Sequence, residues 1–234
     1  MTDNAAVRAD TASVAPKRRR HWGGWSPLAG VLAPLLFVGL STFAGLLRPG
    51  YSPVNEAISD LGAGPNAWVQ NANFALSGLL FVVFAAGLYP HLRPLFGRGR
   101  LLAYLGMFAL SGIGLMGAAY FTVPVPTDPP SQQLVDGVLH GVCFALVFVP
   151  LSLALVLTGR RLRTAPGWRG SAFHAQAAGW ATLALFFFVY ALLAVDGPYG
   201  GLVLRGMVLV AFSWHVATGW RLFAAGRARR STTL

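Results

Sequence analysis

Residues 134–158 read LVDGVLHGVCFALVFVPLSLALVLT. Asp136 and His140, both near the start, are the only charged or imidazole side chains in this run. A bilayer core about 30 Å thick needs about 20 apolar residues at about 1.5 Å each, so the run is long enough to cross. In lipid it must be helical, because each backbone polar group needs an internal partner. Five further stretches have the same character: 25–47, 67–88, 101–122, 172–194 and 203–224. The fold class that follows is an all-α integral membrane protein, a six-transmembrane-helix bundle. Composition agrees. The 234 residues are 55% hydrophobic and 11% charged, with mean hydropathy +0.59. A soluble domain carries about a quarter charged residues, and a disordered chain is far less apolar.

Net charge is +11. In a soluble protein this would suggest nucleic acid; here the distribution gives a different answer. Sixteen of the 18 Lys and Arg fall in the N-terminal tail, the second and fourth connections and the C-terminal end. Only Arg48 and Arg205 lie toward the opposite side. The positive-inside rule therefore predicts cytoplasmic termini and an outward-facing first loop. Glu56, Asp60, Asp128, Asp136 and Asp196 fall on that outer side. The chain divides into a basic, disordered cytoplasmic tail (1–24), the membrane domain (25–224) and a basic cytoplasmic tail (225–234). The first span exceeds the 7–15 apolar residues of a cleaved signal, so it reads as a signal-anchor. An Ala-, Gly- and Arg-rich, Lys-poor bias suggests a high-GC bacterial genome and the inner (plasma) membrane. The single cysteine, Cys143, excludes an internal disulfide and a Cys-based metal cluster.

Small residues Ser111, Gly114 and Ala118 share one face of span 3 and suit close helix contact. The match Gly112-Ile-Gly-Leu-Met-Gly117 lies inside the same span with no preceding strand, so it reads as packing rather than nucleotide binding.

The first outer loop runs from Arg48 to Asn66. Ser52 followed by Pro53 is a helix start, and Gly62 a stop, which predicts a short helix over 53–61. Asp60 would then sit in the last turn, against the helix dipole, and would need a cation such as Arg48 or Arg205. The run Ile58-Ser-Asp-Leu-Gly62, with Asn73 and Gly78 in the next span, resembles the bacterial "domain of unknown function 998" family. The resemblance covers most of residues 25–224 and implies a six-helix membrane protein. The Ile-Ser-Asp-x-Gly element also resembles the DRAM/Frag-type six-span proteins. That likeness implies at most a shared fold and a lipid-facing role. Neither family brings an agreed catalytic mechanism.

Ionisable groups at membrane depth are costly and point to function. Asp128 and Pro129 read as the cap and first position of span 4. Asp136 and His140 then share one face at i, i+4. Gln70 and Asn73 face one way on span 2, and Arg205 lies within about one turn of the outer end of span 6. Ser59, Asp60, Gln70, Asn73, Asp136, His140 and Arg205 thus lie in the outer leaflet zone, from four chain segments. The expected function is binding of a lipid headgroup or amphiphile in an outward-facing polar pocket. Arg205 would hold an anion bidentately. Asp60, Asp136 and His140 would set its protonation or position, and Ser59 and Asn73 would add hydrogen bonds. Against this stands a purely structural role: a carboxylate neutralising Arg205, and Asn73 as an interhelical hydrogen bond.

Two enzyme classes compete. Asp136-x-x-x-His140 resembles intramembrane zinc hydrolases of the alkaline ceramidase type, which need several His ligands at one depth. His174 starts span 5 at the cytoplasmic end. His215 lies about 18 Å from the outer surface, against about 9 Å for His140. No metal or other cofactor is expected. A serine hydrolase or transferase would use Ser59 and His140 with Asp60 or Asp136. It lacks a Gly-x-Ser-x-Gly elbow, and needs the first loop to fold over span 4. The balance leans toward binding without turnover. Partners are membrane lipids and not nucleic acid; a homo-oligomer, or a structural subunit beside a membrane partner protein, is also compatible with the pattern.

Overall fold

The computed structural model describes residues 25–195 and 197–231. Six helices make up the bundle: α1 (Ala29–Leu46), α2 (Ala67–Leu92), α3 (Arg98–Tyr120), α4 (Pro130–Leu162), α5 (Arg169–Ala194) and α6 (Gly200–Ser231). Short 3-10 turns at Ser26–Leu28 and Arg93–Leu95 flank α1 and α2, and a third, Ile58–Gly62, lies in the first loop. All six helices are long and apolar enough to cross a membrane. The helices outrun the apolar windows, mainly at the arginine-rich end, where α2 reaches Leu92 and α4 reaches Leu162. Arg is a good helix former, and its stem stays on the apolar surface while the head reaches water. For the same reason α6 continues to Ser231, through most of the segment expected as a tail from 225. The tail expected over 1–24 lies outside the described residues, as do Asp196 and 232–234.

Each helix packs against its chain neighbours, and α6 closes the ring on α1. Glycines allow the closest approaches. A Cβ on Gly78 would overlap the Gly112 carbonyl, so α2 and α3 touch backbone to backbone. Likewise a Cβ on Gly159 would come 2.7 Å from the Ala172 carbonyl, joining α4 to α5. Ser111, Gly114 and Ala118 are all buried, and Gly114 meets the backbone of α4 at Cys143 and Val147. Aromatic rings fill the centre. Phe37 and Phe81 both pack on Phe212, and Phe108 stacks on Trp214 at 5.5 Å.

Two local expectations need correction. Asp128 does not cap α4, which begins at Pro130 with Pro129 before it. The Asp128 carboxylate instead accepts the Val125 N–H at 2.9 Å and closes the preceding turn. The first loop does not form an α-helix over 53–61. It makes one turn at 52–56, in which Glu56 N–H donates to the Ser52 carbonyl at 2.8 Å, then an extended Ala57, then the 3-10 helix Ile58–Gly62. The cause lies in α6. Its first N–H groups have no partner within the helix. Gly201 N–H donates to the Asn55 carbonyl (3.2 Å) and Leu202 N–H to the Val54 carbonyl (2.8 Å). Arg205 Nη1 takes the carbonyls of Pro53 (2.6 Å) and Glu56 (3.1 Å). The four carbonyls that would carry a helix into residues 57–60 are therefore engaged elsewhere.

Candidate functional site

The Ile58-Ser-Asp-Leu-Gly62 element is a plug in which each side chain has a distinct setting. Ile58 and Leu61 are 5% and 2% exposed. Leu61 packs with Ala44, Val69 and Tyr51. The Asp60 carboxylate accepts the Ala57 N–H at 2.8 Å, at the start of the 3-10 helix rather than in a last helical turn. The Gly62 carbonyl accepts from Asn71 Nδ2 at 3.0 Å, and a Cβ on Gly62 would come 2.7 Å from Asn71 Oδ1. Ser59 is the residue of the five that offers a polar side chain to the interior cavity.

Two arginines tie the plug down. Arg48 donates to the backbone carbonyls of Asp60 and Ala63. Arg205 adds the Gly201 carbonyl (3.0 Å) to those of Pro53 and Glu56, and its Nη2 donates to the Tyr51 hydroxyl at 2.6 Å. Tyr51 in turn donates to the Ala57 carbonyl at 2.8 Å. Of the two expected cations, Arg48 favours the Asp60 carboxylate through its charge, but the hydrogen bonds of both arginines go to backbone oxygens and a phenol. Burial raises the Asp60 carboxyl above the ordinary aspartate range, while the Ala57 N–H pulls it back. Burial also raises the Tyr51 phenol, against the pull of Arg205.

Beneath the plug lie two cavities. The inner one, about 40 Å³, is walled by Phe37, Phe74, Leu115, Phe144 and Phe148, with Ser59 and His140 as its polar groups. The second, about 150 Å³, is a crevice between α1 and α6 lined by Ser41, Thr42 and Arg205 among apolar residues. Phe37, Ile58 and Val208 line both, so the two are neighbours through a shared wall. His140 Nδ1 lies 2.7 Å from the Phe121 carbonyl.

The remaining sequence candidates lie elsewhere. Asn73 is fully buried between α1 and α2, where Nδ2 donates to the Phe37 carbonyl (2.9 Å) and Ser41 Oγ (3.1 Å). Ser77 donates to Asn73 Oδ1 at 3.1 Å. Asn73 therefore meets the crevice through its partners Phe37 and Ser41, and lines neither cavity itself. Gln70 is buried beside it, with Nε2 lacking a partner. Asp136 is half-buried one turn from His140 and lines neither cavity. Three residues central to this geometry carried no sequence signal: Tyr51, Ser41 and Phe37. Each has a partner 32 to 175 positions away in the chain, on another helix.

The histidines weighed as zinc ligands have separate surroundings. His174 Nε2 lies 2.8 Å from Ser213 Oγ. His215 is enclosed by Phe81, Phe84, Phe108, Phe212 and Trp214. Cys143 is buried, against Gly117. Among the described residues, no three His, Cys, Asp or Glu come together in a metal-holding group.

A ring of six membrane-length helices with a plug tied over one end defines a multi-pass membrane protein. Over residues 31–221 the chain matches the family described as "Protein of unknown function (DUF998)", and it belongs to that family. No curated protein and no solved structure matches it.

Proposed function

We propose that this protein binds a lipid or single-chain amphiphile beneath its first loop, at the outer leaflet of a bacterial plasma membrane. Both termini are then cytoplasmic, since the arginine-rich end is the one the positive-inside rule retains. The supporting observation is the pair of adjoining cavities under the plug. They are apolar enough for a chain, yet bring Ser59, His140 and Arg205 to one level of the bundle. In this reading Arg205 acts first as the clip that holds the lid, and Asp60 shapes the plug. Native mass spectrometry after mild detergent extraction tests the reading, with wild type beside Val208→Trp, which fills both cavities. The expected result is a one-to-one amphiphile adduct in wild type, lost in the variant at unchanged helicity. Bare protein masses in both would reject it.

A second reading gives the same residues turnover, with Ser59 as nucleophile and His140 as base in acyl hydrolysis or transfer. It is favoured by Ser59 and His140 lining one cavity. Covalent labelling by a fluorophosphonate, lost in Ser59→Ala, is its expected signature; an unlabelled wild type rejects it.

A further inference from the structure

Arg48 and Arg205, the arginines at the plug end of the bundle, direct their guanidinium groups to the protein's own oxygens, and neither lines the inner cavity. What faces the inner cavity is chemistry of the opposite kind. A carbonyl oxygen only accepts, so the 2.7 Å contact with Phe121 places a proton on His140 Nδ1. In the neutral imidazole Nε2 is then an acceptor. The Ser59 hydroxyl, the other polar group lining the cavity, both donates and accepts. The acidic side chains nearby are Asp60, next to Ser59 in the plug, and Asp136, one turn along α4; neither lines the cavity. Four phenylalanine rings complete the wall, and aromatic faces attract cations. A volume of about 40 Å³ has room for a small polar group, since roughly 10–15 Å³ of such space holds one water.

We infer that the site selects an amphiphile whose head donates hydrogen bonds and carries no negative charge, a hydroxyl or a primary ammonium, and that it discriminates against carboxylate and phosphate heads. This rests on the amphiphile-binding reading and reverses the anion expected from Arg205. The head sits in the inner cavity against His140 Nε2 and Ser59, and the chain lies in the adjoining crevice between α1 and α6. An anionic head would face the imidazole lone pair, with no arginine among the described residues that line this cavity.

The test uses the purified full chain in detergent near pH 8, with four probes of one chain length: dodecanol, dodecylamine, dodecanoate and dodecyl phosphate. Thermal unfolding and native mass spectrometry report binding. The expected result is a raised Tm and a one-to-one adduct with dodecanol or dodecylamine, and neither with the two anions. His140→Phe keeps the bulk and removes the acceptor, so it should weaken donor-head binding roughly tenfold. If that variant fails to fold, Ser59→Ala should weaken it severalfold. Preferential binding of dodecanoate or dodecyl phosphate would overturn this inference and leave amphiphile binding standing. Binding of none of the four, with no lipid retained from the membrane, would overturn both. Donor-head binding unchanged in Ser59→Ala and in a folded His140→Phe would overturn the assignment of the head to this cavity.

Discussion

Arg205 illustrates how a charged side chain at membrane depth is made tolerable. Its hydrogen bonds to three carbonyls and a phenol meet the demand that an isolated cation there would leave open. Arg205→Ala removes four hydrogen bonds and strands the carbonyls of Pro53 and Glu56. A loss of about 2–3 kcal/mol of stability is expected, together with faster proteolysis in the first loop; Arg205→Lys should recover only part, because an ammonium lacks the planar fork. Asp60 gives a pH signature. Its folded carboxyl keeps its proton at pH values where the unfolded chain has lost it. Folding therefore takes up a proton between the ordinary aspartate pKa and the raised one. Stability contributed by this group falls as pH rises through that window and is greatest below it. In Asp60→Asn, which keeps an acceptor for the Ala57 N–H, thermal unfolding should lose that part of its pH slope.

The loop and the start of α6 form one unit, and this explains which features could be read from the sequence. The spans were legible because apolar length in lipid leaves helix as the sole solution, and the glycine faces of α3 were legible as packing. The expected helix over 53–61 was a sound local reading of Ser52, Pro53 and Gly62. It lost to hydrogen bonds from residues about 150 positions away, which no local pattern encodes. The same distance hid Tyr51, whose phenol bridges Arg205 and the Ala57 carbonyl. Asn73 was legible in both of its weighed roles, and its contacts are those of an interhelical hydrogen bond. Gly201 marks the contact: any Cβ there would overlap the Glu56 carbonyl. Gly201→Val should therefore lift the loop from α6, seen as faster amide exchange over residues 54–57, and cost about 1–3 kcal/mol. Gly206, on the same helix with open space around it, should accept Ala without loss.

The even number of spans among the described residues places Ser26 and Ser231 on one side of the bundle, and the plug on the other. Which side faces the cytoplasm follows from the charge bias alone and is directly measurable. In a Cys143→Ala background, a cysteine introduced at Val54, an exposed loop position, should react with an impermeant maleimide added to intact cells. One at Ser231 should react only after lysis. The reverse pattern would invert the topology and move the proposed site to the inner leaflet. The interior of the bundle was less legible than its spans. Six apolar helices can close in many orders, and the ring in which α6 meets α1 is selected by glycine contacts and interlocked rings rather than by hydropathy.

Because the last helix supplies the donors that seat the first loop, the protein's assembly has a fixed order in time. Residues 52–62 leave the ribosome early and can enter the membrane with α1 and α2, but Gly201, Leu202 and Arg205 do not yet exist. Residues 53–56 therefore lack these partners until the final helix inserts, although the Ile58–Gly62 turn can already seat through Arg48 and Asn71. A chain stopped before Gly200 should insert five spans yet leave the loop open to protease. The first loop is thus a late reporter of complete insertion, although it is among the first parts to be made.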